Sequence, residues 1–218
     1  MHFTVENLNN IKNQIKQKLN QNSQNIPKII AVSKTFPIEK ILPLIEFGHV
    51  DFGENKVQEA VDKWTIVKSQ NKNIRLHLIG KLQTNKVKFA VKIFDYIHSV
   101  DSEKLAKKIA IECEKINKKI KIFIQINIGR EDQKSGIDIE NLENFYQFCN
   151  NLNLEVVGLM CIPPENKDPS YYFSKMEFLK KKFSFDNLSM GMSSDYLISL
   201  DYSSNYLRIG SAIFGKRD

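Results

Sequence analysis

Short apolar runs alternate with amphipathic stretches along almost the whole of this 218-residue sequence, and that alternation leaves few folds open. Eight runs read as strands: 29–33, 50–52, 76–79, 96–100, 120–128, 156–160, 188–190 and 207–209. Between them, apolar residues recur at helical spacing: Val57, Ala60, Val61, Trp64 and Val67, then Leu105, Ile109, Cys113 and Ile116. Leu142, Phe145, Tyr146 and Cys149, then Tyr172, Met176, Leu179 and Phe183, continue the pattern. Each set is a stripe that a helix would lay on a sheet. Pro37, just after the first run, suits the opening turn of a helix. The order is βαβα throughout, and strands that are mostly apolar without strict alternation are what a parallel sheet covered on both faces requires. A closed barrel and an open doubly wound sheet both satisfy this. Eight units of roughly 27 residues each favour the closed (β/α)8 TIM barrel.

Residues 5–22 carry Val5, Leu8, Ile11, Ile15 and Leu19 at helical spacing among Asn, Gln and Lys, so an extra N-terminal helix (residues 1–24) packed on the barrel is expected. No linker, repeat or low-complexity segment divides the chain, and residues 1–218 are expected to form a single domain. Apolar residues at 42% and charged residues at 26% exclude a disordered chain. Lys and Arg outnumber Asp and Glu by 32 to 25, a net charge of +7, but the lysines are scattered along helix faces. A local anion site is therefore expected, and a nucleic-acid surface is not. Cys113, Cys149 and Cys161 form no Cys-x-x-Cys pair and suit a reducing cytoplasm; the first two fall on helix stripes as buried thiols. His2, His49, His77 and His98 lack metal-ligand spacing, so no metal is expected. Residues 1–20 are polar and lysine-rich without the apolar core of a signal peptide, and no run is long enough to span a bilayer. A soluble, unexported protein with no membrane partner is expected.

In a parallel barrel the C-terminal strand ends converge on one rim. That rim would gather Lys34, Gly53-Glu54-Asn55, His77, Gly80, Asn127, Met160, residues 189–195 and Arg208-Ile209-Gly210-Ser211. Lys34 ends the run Pro27-Lys28-Ile29-Ile30-Ala31-Val32-Ser33. Partial desolvation at a strand end disfavours the ammonium and leaves more of the neutral amine, the form that attacks an aldehyde to give a Schiff base. A surface lysine closing a strand is the plainer reading of the same position. In Ser189-Met190-Gly191-Met192-Ser193-Ser194-Asp195 a strand gives way to a helix, so Ser193, Ser194 and Asp195 can cap it. The same N–H groups and hydroxyls can hold a phosphate. Gly210 would let backbone N–H groups approach an anion. Neither a Walker loop nor a Gly-x-Gly-x-x-Gly fingerprint is present, which favours a small phosphorylated cofactor over a nucleotide.

These residues belong to an ordered series of motifs. Ala31-Val32-Ser33-Lys34-Thr35, Phe52-Gly53-Glu54-Asn55-Lys56-Val57-Gln58-Glu59, His77-Leu78-Ile79-Gly80 and Gln83-Thr84-Asn85-Lys86 come first. Gln125-Ile126-Asn127, Lys134-Ser135-Gly136, Gly158-Leu159-Met160, Leu188-Ser189-Met190-Gly191-Met192-Ser193 and Arg208-Ile209-Gly210 follow. Over about residues 29–217 the series resembles the pyridoxal phosphate homeostasis proteins. The resemblance implies a single barrel similar to the N-terminal domain of alanine racemase, with pyridoxal 5′-phosphate (PLP) held as a Schiff base on Lys34. It implies that Ser193, Ser194, Gly210 and Ser211 hold the phosphate and that Arg208 faces the pyridine nitrogen. Asn55 and His77 would line the ring, with Met192 beside it.

A guanidinium only donates hydrogen bonds, so a pyridine nitrogen opposite Arg208 would accept and stay unprotonated, making the ring a weak electron sink. The sequence ends at Asp218, where full alanine racemases carry a second domain that supplies a catalytic tyrosine from the partner subunit. The expected protein is thus a non-catalytic carrier with no catalytic residues, acting in intracellular PLP (vitamin B6) homeostasis. It is expected to be cytoplasmic and monomeric, with PLP-dependent apoenzymes as candidate partners. A single-domain amino-acid racemase dependent on Lys34 and a nucleic-acid-binding module using the +7 charge are the alternatives. The first is tested by turnover of D- and L-amino acids, the second by salt-dependent binding. Cys161-Ile162-Pro163-Pro164 departs from the family's more usual Met-Ala-Ile-Pro-like version, and the segment between Pro164 and Ser170 is short. Both bear on the outer rim and not on the expected cofactor contacts.

Overall fold

Each of the eight runs forms a strand in the computed structural model, which describes residues 1–19, 26–131 and 133–216. The strands are Lys28–Val32 (β1), Asp51–Glu54 (β2), Arg75–Leu78 (β3), Tyr96–Val100 (β4), Lys121–Ile126 (β5), Glu155–Cys161 (β6), Asn187–Met192 (β7) and Tyr206–Ile209 (β8). All run parallel in chain order. The pairing of β8 with β1, which sets Arg208 opposite Ile30, closes the barrel and rules out the open doubly wound sheet.

The helical stripes fall where the spacing places them except at Ile116, which lies just past its helix and is exposed. Val57, Ala60 and Trp64 are buried from Val57–Gln70 (α3), and Leu105, Ile109 and Cys113 from Glu103–Lys115 (α5). Leu142, Phe145 and Cys149 are buried from Leu142–Asn151 (α6), and Met176 and Leu179 from Pro169–Lys182 (α7). Pro37 takes the extended position just before Ile38–Glu46 (α2), one residue ahead of the first turn. A short helix, Val87–Ile93 (α4), fills the gap between β3 and β4. After β7 the helical unit shrinks to Tyr196–Ser199 (α8) and a 3-10 turn at Leu200–Tyr202, and Ser211–Phe214 (α9) follows β8. The leading helix is Phe3–Lys18 (α1), which packs through Val5, Leu8, Ile11 and Ile15 against α2, α8 and α9. Residues 20–24 of the expected segment lie outside the described residues. Among the described residues, no helix is long and apolar enough to cross a membrane.

One expectation is corrected here. Several strands alternate strictly, as in Arg75-Leu76-His77-Leu78 and Tyr206-Leu207-Arg208-Ile209. The outward residues Phe52, Leu76, Leu78, Ile97, Leu207 and Ile209 join the large apolar layer under the helices. A second, smaller cluster of Ile30, Tyr96, Phe123, Met160 and Tyr206 is separate from it. A closed eight-stranded barrel has an interior of its own that side chains must fill. In this chain many of those fillers are polar and satisfy one another.

Candidate functional site

Most of the expected site residues stand at the C-terminal ends of strands. Lys34 is half-buried two residues beyond β1, and Asn55 is half-buried directly after β2. Met192 closes β7, and Ser193 and Ser194 follow it. Gly210 follows β8, and Ser211 opens α9. The Asp195 carboxylate, expected to cap the next helix, instead turns back and accepts the Met192 N–H at 2.6 Å, fixing the bend that presents Ser193. The Ser193 hydroxyl oxygen accepts the N–H groups of both Gly210 and Ala212 at 3.2 Å, so the loops after β7 and β8 meet at one oxygen. Gly210 has a φ of −112°, and a Cβ built there would lie 3.4 Å from Val32. Neither backbone strain nor packing therefore demands glycine at 210, and the missing side chain leaves room beside the two N–H groups.

Several expected rim residues lie deeper. His77, Ser189 and Met160 are fully buried inside the barrel and do not sit in loops at its mouth. The reason is register: each lies within its strand, before the last residue, and not in the loop beyond it. There His77 and Ser189 belong to a chain of hydrogen bonds that crosses the barrel. Arg208, 4% exposed, donates through one terminal nitrogen to the carbonyl (2.6 Å) and hydroxyl (2.8 Å) of Ser189, and through the other to the Cys161 carbonyl at 2.8 Å. Cys161 is thus buried and touches an expected cofactor residue, contrary to the expectation that it bears on the outer rim alone. Ser189 Oγ lies 2.8 Å from His98 Nδ1, His98 Nε2 lies 3.0 Å from His77 Nδ1, and His77 Nε2 lies 3.0 Å from Asp51 Oδ1. Arg75 closes the far end with two bonds to the Asp51 carboxylate, at 2.7 and 2.6 Å.

The end groups set the direction of every proton in this chain. Burial alone would raise the Asp51 carboxyl, but the bonds from His77 and Arg75 outweigh it and hold it below the usual carboxylate range, so it accepts only. Burial lowers both His77 and His98, keeping each neutral with one donor and one acceptor nitrogen. His77 Nε2–H therefore donates to Asp51, His98 Nε2–H to His77, and the Ser189 hydroxyl to His98, while Arg208 donates to Ser189. Three of the five guanidinium N–H groups are used this way, leaving two for another acceptor. The ring faces are packed as well: Tyr96 stacks on His77 at 4.4 Å and Phe123 on His98 at 4.3 Å.

Reading the sequence by strand ends missed Asp51 and His98. For His98 the signal was period-two alternation of polar with apolar residues in β3, β8 and the first three residues of β4, which marks an inward polar face; Asp51, opening β2, shows no such pattern. Beside Asn55, a cavity of about 300 Å³ opens at the rim among Gly80, Lys81, Gln125, Asn127 and Ser135.

With this geometry in hand, similarity to known proteins is informative. The family model for the alanine racemase N-terminal domain matches residues 7–218. The pyridoxal phosphate homeostasis protein of Aquifex aeolicus is 35% identical over 204 residues, 89% of each chain. That of Haemophilus influenzae is 37% identical over 225 residues, 97% of this chain and 95% of its own. Among solved structures, PipY of Synechococcus elongatus with PLP bound matches with a TM-score of 0.85 at 29% identity, over 97% of this chain and 100% of PipY. A closed parallel barrel of the alanine racemase type, with these motifs in order along nearly its whole length, belongs to the pyridoxal phosphate homeostasis protein family.

Proposed function

We propose that this protein binds PLP at the barrel rim as a Schiff base on Lys34 and serves as a carrier in intracellular PLP homeostasis. The observation that carries the reading is the meeting of the loops after β7 and β8, where two backbone N–H groups already converge on a hydroxyl oxygen beside a glycine that leaves space. Ser193, Ser194, Gly210 and Ser211 would hold the phosphate with donors suited to an anion. Arg208, with two N–H groups to spare, would donate to the pyridine nitrogen. Asn55 and Met192 would border the ring. His77, with both ring nitrogens engaged, would support it by packing and through Arg208. When bound, PLP supplies an aldehyde that an amine can capture reversibly.

Arg208 favours storage over catalysis. Its guanidinium has no proton acceptor, and its only side-chain neighbour in the bonded chain, Ser189, is committed to His98. A ring nitrogen facing it stays unprotonated and withdraws little charge, so efficient racemisation or transamination is not expected. The same reading takes the chain as one cytoplasmic, monomeric domain that passes PLP to apoenzymes. Its support is a barrel closed within this one chain and the names of its relatives.

The test is borohydride reduction after mixing with PLP, followed by peptide mapping. A pyridoxyl group on Lys34 is expected, together with its loss in a folded Lys34→Ala variant. A reduced adduct on another residue, or none, would sink the assignment.

A further inference from the structure

Lys34 sits between two residues that are held from behind by a cluster of charges, of which Glu54 is buried and Lys63 and Glu59 are half-buried. The Ser33 hydroxyl donates to Glu54 Oε1 at 2.8 Å, and the Ser33 carbonyl accepts from Lys63 Nζ at 2.9 Å. On the other side, the Thr35 N–H donates to Glu59 Oε1 at 2.5 Å. Lys63 joins the two halves, with its Nζ 3.0 Å from both Glu54 Oε1 and Glu59 Oε1. Glu54 is fully buried and also accepts the Trp64 indole N–H at 2.9 Å. Glu59 and Lys63 lie one turn apart on α3, so one helix face carries both.

Two features show that this cluster does more than fill space. Thr35 has a φ of 67°, in the left-handed region that a β-branched residue rarely occupies, and its amide is the group Glu59 holds. The half-buried ion pairs of Lys63 with Glu54 and Glu59 also hold bonds to the Ser33 carbonyl and the Thr35 N–H, so their distinct contribution is geometric. Here that geometry is spent on the backbone immediately before and after Lys34.

We propose that Glu59, acting with Lys63 and Glu54, is a positioning residue for Lys34: it fixes the Ser33-Lys34-Thr35 backbone and so the approach of the Lys34 amine to an aldehyde. The inference rests on the reading that Lys34 carries PLP. In the step concerned, the neutral amine adds to the aldehyde carbon, a C=N bond replaces C=O, and the aldehyde oxygen leaves as water with the two amine protons. Addition of this kind depends on alignment of the reacting atoms, and loss of alignment slows it without changing what holds the rest of the ligand.

The experiment mixes apoprotein with PLP in a stopped-flow spectrometer and follows imine absorbance. In parallel, the affinity for pyridoxine 5′-phosphate is measured, since this ligand keeps the ring and phosphate but has an alcohol in place of the aldehyde. Glu59→Ala is expected to slow imine formation about tenfold or more while changing pyridoxine phosphate affinity less than about twofold. Glu59→Gln, which keeps an oxygen for the Thr35 N–H, is expected to recover most of the rate. Hydrogen exchange of the apoprotein should show loss of protection at Thr35 in Glu59→Ala alone. Imine formation at the wild-type rate in Glu59→Ala would overturn the proposal, as would an equal loss of pyridoxine phosphate affinity. If instead the wild-type protein forms no adduct on Lys34 although Thr35 protection depends on Glu59, the carrier reading is what fails.

Discussion

Ser189 shows how much one small side chain can carry when it is fully buried between two larger polar groups. Its oxygen accepts from Arg208 and its proton goes to His98, so it is the joint at which a donor-only cation meets a neutral imidazole. Ser189→Ala leaves His98 Nδ1 without its donor and one Arg208 N–H without its side-chain acceptor. Each unmade bond in a dry interior costs about 1–3 kcal/mol. The variant is therefore expected to unfold at lower urea concentration with an unchanged denaturant slope. A midpoint equal to that of the wild type would mean that the chain of bonds is not continuous at this residue. Residues of this kind are hard to read in advance. The sequence places Ser189 in a strand, but which face it takes depends on the register between strands.

At the scale of elements, the rim depends on how closely β2 and β3 approach at their ends. A Cβ added to Gly80 would lie 2.5 Å from the Asn55 carbonyl oxygen and 2.8 Å from its Cα, both backbone atoms with no flexible way to yield. The Gly80 carbonyl is in turn held by the Ser99 hydroxyl at 2.7 Å. Gly80→Ala is expected to cost about 1–3 kcal/mol by overpacking and to weaken PLP binding by moving Asn55. Gly210→Ala separates the two effects, since the atoms nearest its Cβ belong to Val32 and none lies closer than 3.4 Å. It is expected to cost less than about 1 kcal/mol in stability yet weaken inorganic phosphate binding. Thermal melts and phosphate titrations of the two variants check this, and equal losses of stability would refute the distinction. The strands themselves were readable because apolar runs bounded by turn residues are local signals. α4, Val87–Ile93, was not, because a seven-residue helix with four buried positions shows too few turns for a stripe to emerge. Lys34 and the loops after β7 and β8 were readable from composition at strand ends. Which residues face into the barrel was not, because that depends on register between strands distant in sequence.

For the whole molecule, the barrel interior links stability to pH, with a sign that follows from burial. His77 and His98 have their pKa values lowered from the ordinary 6.5, chiefly by burial, and burial takes the half-buried His49 down to about 4. A group whose folded pKa lies below its unfolded value binds fewer protons folded than unfolded between the two. Its contribution is fully present above about pH 6.5 and drains away as the pH falls through that window. Asp51 behaves in the same sense but lower, because its folded pKa is depressed below the ordinary 3.8 and its contribution is lost only in stronger acid. These groups are therefore expected to leave the stability of the apoprotein nearly flat above about pH 6.5, while Glu54 and Asp101, whose carboxyls burial raises, act in the opposite sense in acid. Below about pH 6.5, stability should fall by about 1.4 kcal/mol per pH unit for each imidazole that takes up a proton only on unfolding. Urea midpoints measured down to about pH 4.5 give the slope, and His98→Gln should be less stable at neutral pH yet lose stability more gently on acidification. A slope that His98→Gln leaves unchanged would mean that this imidazole does not gain a proton on unfolding, and the one-way order of donors from Arg208 to Asp51 would then have to be redrawn.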